Sequence, residues 1–329
     1  MNLPLSVLDL SPVGAGVTPS QAIRDSVALA RIADDLGYTR YWFAEHHNMA
    51  SIATSAPEVL IAYCAAVTKR IKLGAGGIMV PNHAPLHVVE LFRTLEALAP
   101  GRIDLGLGRA PGTDPVTAAA LRRSDDPEVN RVLAELIAFE RGEFPPSHPF
   151  SKIEPMPSDI SALSLWMLGS TLAGASIAAQ LGVPYAFAGH FAMRHAFDAI
   201  EHYKRTYEPS PQHPTPYAML AVTCVCADSD ELAQRISAPI RVAVVKNRTG
   251  RRAPIVSIDE ALAYEFSADE QAIADDFFMG AVIGDPAKVG KRLGELAHEI
   301  HADELMLSTL VPDLASRAKS LELVAKAMA

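Results

Sequence analysis

The chain has 329 residues, 49% of them hydrophobic, 20% charged and only 6% aromatic, a balance that fits one large α/β domain with an aliphatic, alanine-rich core. A net charge of −9 offers no general attraction for nucleic acid or an anionic membrane, and so excludes those partners as a default. The three cysteines show neither a CxxC pair nor a metal-ligand spacing, and the opening MNLPLSVLDL has no basic region or long apolar run, so a reduced, cytoplasmic setting without signal peptide, membrane span or bound metal is expected.

In chain order, residues 5–10 (LSVLDL) read as a short apolar strand. A helix follows over 20–36, with Ile23, Val27, Ala30, Ala33 and Leu36 at helical spacing and Gly37 as its stop. Strand 38–45 (YTRYWFAE), a helix near 57–68 opened by Pro57, strand 71–80 (IKLGAGGIMV) and a helix over 85–101 continue the rhythm. Strand 102–110 (RIDLGLGRA) and a helix over about 128–141 close the first half. The second half gives strand 164–170, helix 172–182, strand 184–190, helix 192–207, strand 217–227 and helix 229–245. The last pair is preceded by a helix over about 286–300: strand 303–309 and helix 313–328.

Eight strands, each followed by a helix, predict a parallel sheet with right-handed crossovers closed into a (β/α)8 barrel, one domain over 1–329. No GxGxxG opens a helix after the first strand, which argues against an open doubly wound sheet. Two segments interrupt the pattern. Residues 143–158 carry five prolines and predict a surface loop before the fifth strand. Residues 246–283, with a basic run at 246–252 and an acidic one at 267–276, form an insertion between the seventh and eighth barrel strands. An insertion of that length suits a lid or binding loop, while its basic run reads as solvated.

Catalytic groups in such barrels stand at the C-terminal ends of the strands. Those ends carry Asp9, Glu45-His46-His47, Gly76-Gly77 through Asn82-His83, Arg109, Ser170-Thr171, His190, Asp228 and Ser308-Thr309. The glycines of LGAGGIMVPN (73–82) and LGLGRAPG (105–112) fit either a flat ligand pressed against the strand ends or the taper of a barrel interior. Ser170 and Thr171 precede a helix, as a phosphate site would require and as a plain N-cap would too. Arg109 could complete a phosphate fork. Of His46 and His47, strand alternation allows at most one to face the cavity unless the strand has already ended. Asp9, His83, His190 and the insertion are the expected pocket wall, and Met193, Met219 and Met306 the expected core.

With AEHH (44–47), LGAGGIMVPNHAPL (73–86), PGRIDLGLGRAPG (100–112) and LGST (168–171) in this order, the chain resembles the luciferase-like flavin-dependent monooxygenases, relatives of bacterial luciferase, from Leu5 to about Lys326. The resemblance implies a barrel that takes reduced FMN as co-substrate from a separate flavin reductase and inserts one atom of O2 into a small organic substrate, commonly as a homodimer. It implies that His46 is the active-site histidine, that a non-prolyl cis bond joins Gly76 and Gly77, and that Arg109 with the segment of Ser170, Thr171 and Gly174 holds the phosphate. Residues 246–283 match the family's mobile loop. Gly108 stands where luciferase has a cysteine, and Gly76-Gly77 where it has an alanine pair, so thiol chemistry and light emission are not implied. Two alternatives stay open: hydride transfer with a deazaflavin, and a flavin-binding protein without catalysis.

Overall fold

The computed structural model describes residues 3–121 and 129–329, so residue 128 of the helix expected over 128–141 lies outside the described part. Nine parallel strands are present among the described residues: β1 (Leu5–Asp9), β2 (Arg40–Phe43), β3 (Lys72–Met79), β4 (Ile103–Gly108), β5 (Ser164–Gly169), β6 (Tyr185–Phe187), β7 (Ala218–Cys226), β8 (Val282–Gly284) and β9 (Glu304–Ser308). Strands β1 to β7 and β9 close into a ring, sealed by the β6–β7 register Tyr185↔Ala218 and the β7–β9 register Met219↔Glu304. The fold is the expected (β/α)8 barrel. β8 lies outside the ring, on the tail of β7 at Cys224–Cys226.

Strand alternation sorts the side chains. Tyr41 and Phe43 of β2, Leu305 and Leu307 of β9 and Leu165 and Met167 of β5 pack outward in the main core between sheet and helices. Trp42, Trp166, Met219 and Met306 fill the interior with Leu8, Leu10, Ala44, Ala186 and Ala221. Beneath the tryptophans lies a charged floor. Arg40 pairs with Asp104 at 2.8 Å and Glu304 at 2.9 Å, and its guanidinium lies 4.5 Å over the Trp166 ring. Trp42 Nε1 donates to Asp104 and Tyr217 Oη to Glu304. Burial opposes the Arg40 charge, but the two carboxylates outweigh it and raise its pKa.

The glycines of β3 and β4 mostly serve this interior. A Cβ on Gly74 would meet Trp42 Nε1 at 2.6 Å, and one on Gly106 would meet the Ala75 carbonyl oxygen at 2.1 Å. The barrel-taper reading therefore holds for these two.

The insertion is more structured than a plain interruption. The helix expected to end at 245 runs Asp230–Arg248, and two further helices, Ile258–Leu262 and Ala268–Phe278, precede β8. Each of the two opens with a full capping box, Ser257 with Glu260 and Ser267 with Glu270. Several contacts tie the segment to the barrel, among them an exposed ion pair between Arg194 and Asp276 at 2.9 Å. Ile255 exchanges backbone hydrogen bonds with Val13 and Ala15, Arg252 pairs with Asp114 at 2.7 Å, and Phe278 packs with Val225, Ile240, Val244 and Val311. A helix over Pro115–Leu121 also goes beyond the expected elements. The proline-rich segment 143–158 forms no helix, as predicted. No helix among the described residues is long and apolar enough to cross a membrane.

Candidate functional site

The interior narrows in side-chain size toward the C-terminal end of the barrel. Above Trp42 and Met306, the inward positions are Ala44, Gly76, Gly108, Ala186 and Ala221, and the space they leave is a cavity of about 300 Å³. His46, Arg109, Ser170, Thr171 and His190 line it. Gly77 and Gly174 do not: a Cβ on Gly77 would strike the Gly106 carbonyl oxygen at 2.7 Å, and one on Gly174 would lie 3.3 Å from Gly169 Cα. These two glycines set close backbone approach behind the wall. The Gly76-Gly77 bond is cis, as the resemblance implies.

β2 ends at Phe43, so alternation no longer governs the histidines. His46 lines the inner cavity, and both His46 and His47 line a polar hollow outside it. His46 Nδ1 lies 3.1 Å from the Gly112 carbonyl oxygen. That oxygen can only accept, so Nδ1 carries the proton of the neutral ring and Nε2 carries the lone pair. Burial holds the His46 pKa below its ordinary value, with the Gly112 contact opposing. Gly112 also accepts from the His47 N–H, and at φ 65° it occupies the left-handed region, where a Cβ would sit 2.8 Å from the Glu45 carbonyl oxygen.

Glu45, one of the strand-end residues, contacts His47 Nε2 at 2.9 Å. Its fully buried carboxylate also accepts from His83 Nε2 at 2.9 Å, the Met79 N–H at 2.8 Å and Asn82 Nδ2 at 3.2 Å. Burial works to raise the Glu45 pKa, but these donors, His83 first, outweigh it and leave it below the usual value. His83 is raised in turn: burial opposes its charge, and Glu45 prevails. The carboxylate thus pins the end of β2 to the end of β3, next to His46 in the chain.

His190 follows β6. Its Nδ1 is shielded from solvent and has no hydrogen-bond partner among the described residues, and burial, with His46 nearby, pushes its pKa down to about 4. A neutral imidazole with an unused ring nitrogen therefore lines the same cavity as His46.

Arg109 makes no ion pair among the described residues. Beside it, Thr171 is the N-cap of the helix Leu172–Leu181 but forms no side-chain cap, so its hydroxyl and the first-turn N–H groups are free for an anion. The plain N-cap alternative is not what the hydroxyl does.

Several expected wall residues lie elsewhere. Asp9 shares the outward face of β1 with Val7. It accepts from the Ser11 N–H at 2.8 Å, from Tyr41 Oη and from Arg317 at 3.1 Å, beneath the helix Leu314–Met328. His83 is spent on Glu45 and does not reach the inner cavity, and Asp228 pairs with Lys319 at the surface. Thr309 donates to the Cys224 carbonyl. Met219 and Met306 are core, with Met306 also flooring the cavity, whereas Met193 is only partly buried. The run 246–252 is solvent-exposed as expected, with Lys246 half-buried, but 246–248 ends the helix Asp230–Arg248 rather than forming loop, and the exposed Asn247, Arg248, Gly250 and Arg252 rim the outer polar hollow. Inward Ala44, Ala186 and Ala221, which shape the cavity, escaped notice, although alternation along their strands marks them as interior.

The family described as luciferase-like monooxygenase matches residues 3–304. A luciferase-like monooxygenase of Escherichia coli (strain K12) is 40% identical over 321 residues, spanning 97% of this chain and 95% of the relative. N-acetyl-S-alkylcysteine monooxygenase of Bacillus subtilis (strain 168) is 31% identical over 328 residues, 98% of each chain. The crystal structure of apo-MsnO8 superposes with a TM-score of 0.87 at 35% identity, covering 99% of this chain and 98% of that one. Cavity, strand-end histidine and whole-chain similarity agree, and the chain belongs to the luciferase-like monooxygenase family.

Proposed function

We propose that the chain, as one domain over 1–329, is a flavin-dependent monooxygenase that takes reduced FMN from a separate reductase and uses O2 on a small organic substrate. The observation that carries this reading is that an Arg109 without an ion pair, an uncapped helix N-terminus and His46 line one cavity. The residues fit a flavin mononucleotide: a dianionic phosphate finds a guanidinium, two hydroxyls and backbone N–H groups, and a flat ring finds Gly76 and Gly108 with no side chain to displace it. Bound reduced flavin would supply the electrons that activate O2. The protein's own contribution is orientation, exclusion of water by the apolar lining, and proton management. His46, neutral with Nε2 as its basic nitrogen, holds or takes a proton there, and neutral His190 offers a second hydrogen-bonding nitrogen.

The helix Pro57–Val67 exposes Val59, Tyr63 and Val67 at i, i+4 spacing, with Leu98 of the helix Pro85–Leu98 also exposed. Such an apolar stripe supports a homodimer contact. Three buried free cysteines suit a reducing cytoplasm.

Anaerobic titration with reduced FMN, followed by admission of O2, tests the reading. Saturable binding, then O2 uptake that an organic substrate accelerates, is the expected result. Binding of a reduced deazaflavin in preference to FMN, with no O2 uptake, would establish the hydride-transfer alternative. Tight binding of oxidised FMN without any O2 uptake would establish a non-catalytic flavoprotein.

A further inference from the structure

We propose that the outer part of the site binds the substrate as an organic carboxylate, with its apolar body beside His46 and its carboxylate on Arg248; this rests on the flavin reading of the inner cavity. His46 lines three adjoining hollows. Beyond the inner cavity lies an apolar hollow of about 300 Å³, walled by Leu10, Ile52, Val244, Phe277 and Leu310. Next to it lies a polar hollow of about 460 Å³. Asn247 and Arg248 line both, so they stand where an apolar molecule in the first would present a polar end to the second.

Charge in the polar hollow is unevenly matched. Arg252 is compensated by Asp114 at 2.7 Å, and that carboxylate is held well below its ordinary pKa by Thr117 first, then by Arg252 and Asn48. His47 is matched by Glu45. The Arg248 guanidinium makes no ion pair or hydrogen bond to any described residue, so it is the uncompensated cation of this hollow. Arg248 is not needed to cap its own helix either. The N–H groups of Thr249, Gly250 and Arg251 already bond the carbonyls of Val245, Asn247 and Lys246. One uncompensated guanidinium beside a neutral amide matches a singly charged, planar acceptor, which a guanidinium binds with two parallel hydrogen bonds. A phosphate dianion would leave a charge unmatched there. Arg109, also without an ion pair, lies in the inner cavity, so flavin phosphate and substrate carboxylate have separate anchors in the two hollows that His46 lines.

The test is calorimetric binding of two matched pairs, hexanoate against 1-hexanol and 3-phenylpropanoate against 3-phenylpropan-1-ol. It is run on wild type, Arg248→Met and Arg248→Lys, with and without FMN, and FMN affinity is measured in the same proteins. The expected preference for the carboxylate in at least one pair is about 10-fold, the low end for a hydrogen bond to a charged group because Arg248 is exposed. Arg248→Met abolishes the preference, Arg248→Lys keeps part of it, and neither changes FMN affinity. No preference in either pair, or a preference that survives in Arg248→Met, overturns the proposal. A loss of FMN affinity in Arg248→Met overturns it too, by giving Arg248 to the cofactor. Failure of wild type to bind FMN would strike the flavin reading instead, since the carboxylate preference is read in flavin-free protein as well.

Discussion

Replacing Glu45 by glutamine keeps the shape of a side chain with no solvent exposure and removes its charge. In the native protein its two oxygens accept from His47, His83, Asn82 and the Met79 N–H. The amide turns one oxygen into a donor that faces other donors, so at least one hydrogen bond to a charged group is lost and one buried group is left unmatched. Each such change costs about 1–3 kcal/mol, so a loss of about 2–4 kcal/mol is expected from a total of about 5–15 kcal/mol. The loss depends on pH. Glu45 has a lowered pKa, so its contribution is present above the unfolded carboxylate value and is lost as pH falls through the lowered folded one. His83 has a raised pKa, so its contribution is complete below 6.5 and disappears as pH rises through the folded value. Urea-unfolding midpoints of wild type and Glu45→Gln should therefore differ most near pH 5.5 to 6 and converge in part toward pH 9. A difference below about 0.5 kcal/mol, the size of an ordinary surface change, or a gap that does not narrow with rising pH, would refute the assignment of this carboxylate as the clamp between β2 and β3.

Four further outcomes follow, three from the site and one from an exposed helix face. His46→Ala should lower turnover by about 10²- to 10⁴-fold, the usual share of general acid–base catalysis, and leave flavin affinity nearly unchanged; an unaltered rate would remove His46 from the chemistry. Because His46 stays neutral below its ordinary pKa, the acid limb of kcat/KM should fall below pH 6.5, and a limb centred above 6.5 would contradict the Gly112 and burial argument. Arg109→Met should weaken reduced FMN by about 10- to 100-fold and spare riboflavin, which lacks the phosphate; equal losses for both would place the phosphate elsewhere. Tyr63→Glu should convert a dimer to monomers in sedimentation, and an unchanged mass would clear the Val59–Tyr63–Val67 stripe of an interface role.

The barrel was legible because each strand and helix carries its own period. β8 was not, since three residues (Val282–Gly284) leave no alternation to count, and its partner is the overhanging tail of β7 rather than the ring. His46, Gly76, Arg109, Ser170 and Thr171 were found from the rule that strand ends carry the site, and the structure brings these five to one cavity. The same rule misplaced Asp9. Residues two apart share a face, and Val7 already marks that face of β1 as outward, so Asp9 meets Arg317 instead of the cavity. His83 was misplaced because its partner, Glu45, is distant in sequence and nothing local announces the pair. The basic run at 246–252 does face solvent, as its charge suggested, but charge alone does not tell that its exposed Asn247, Arg248, Gly250 and Arg252 also rim a hollow shared with His46 and His47.

A crystal structure of the protein with FMN tests the central claim most directly. The account predicts the phosphate within hydrogen-bond distance of Arg109 and of the first-turn N–H groups after Thr171, and the ring over Gly76 beside His46. A phosphate seated on Arg248, or a flavin ring outside the cavity floored by Trp42 and Met306, would contradict it.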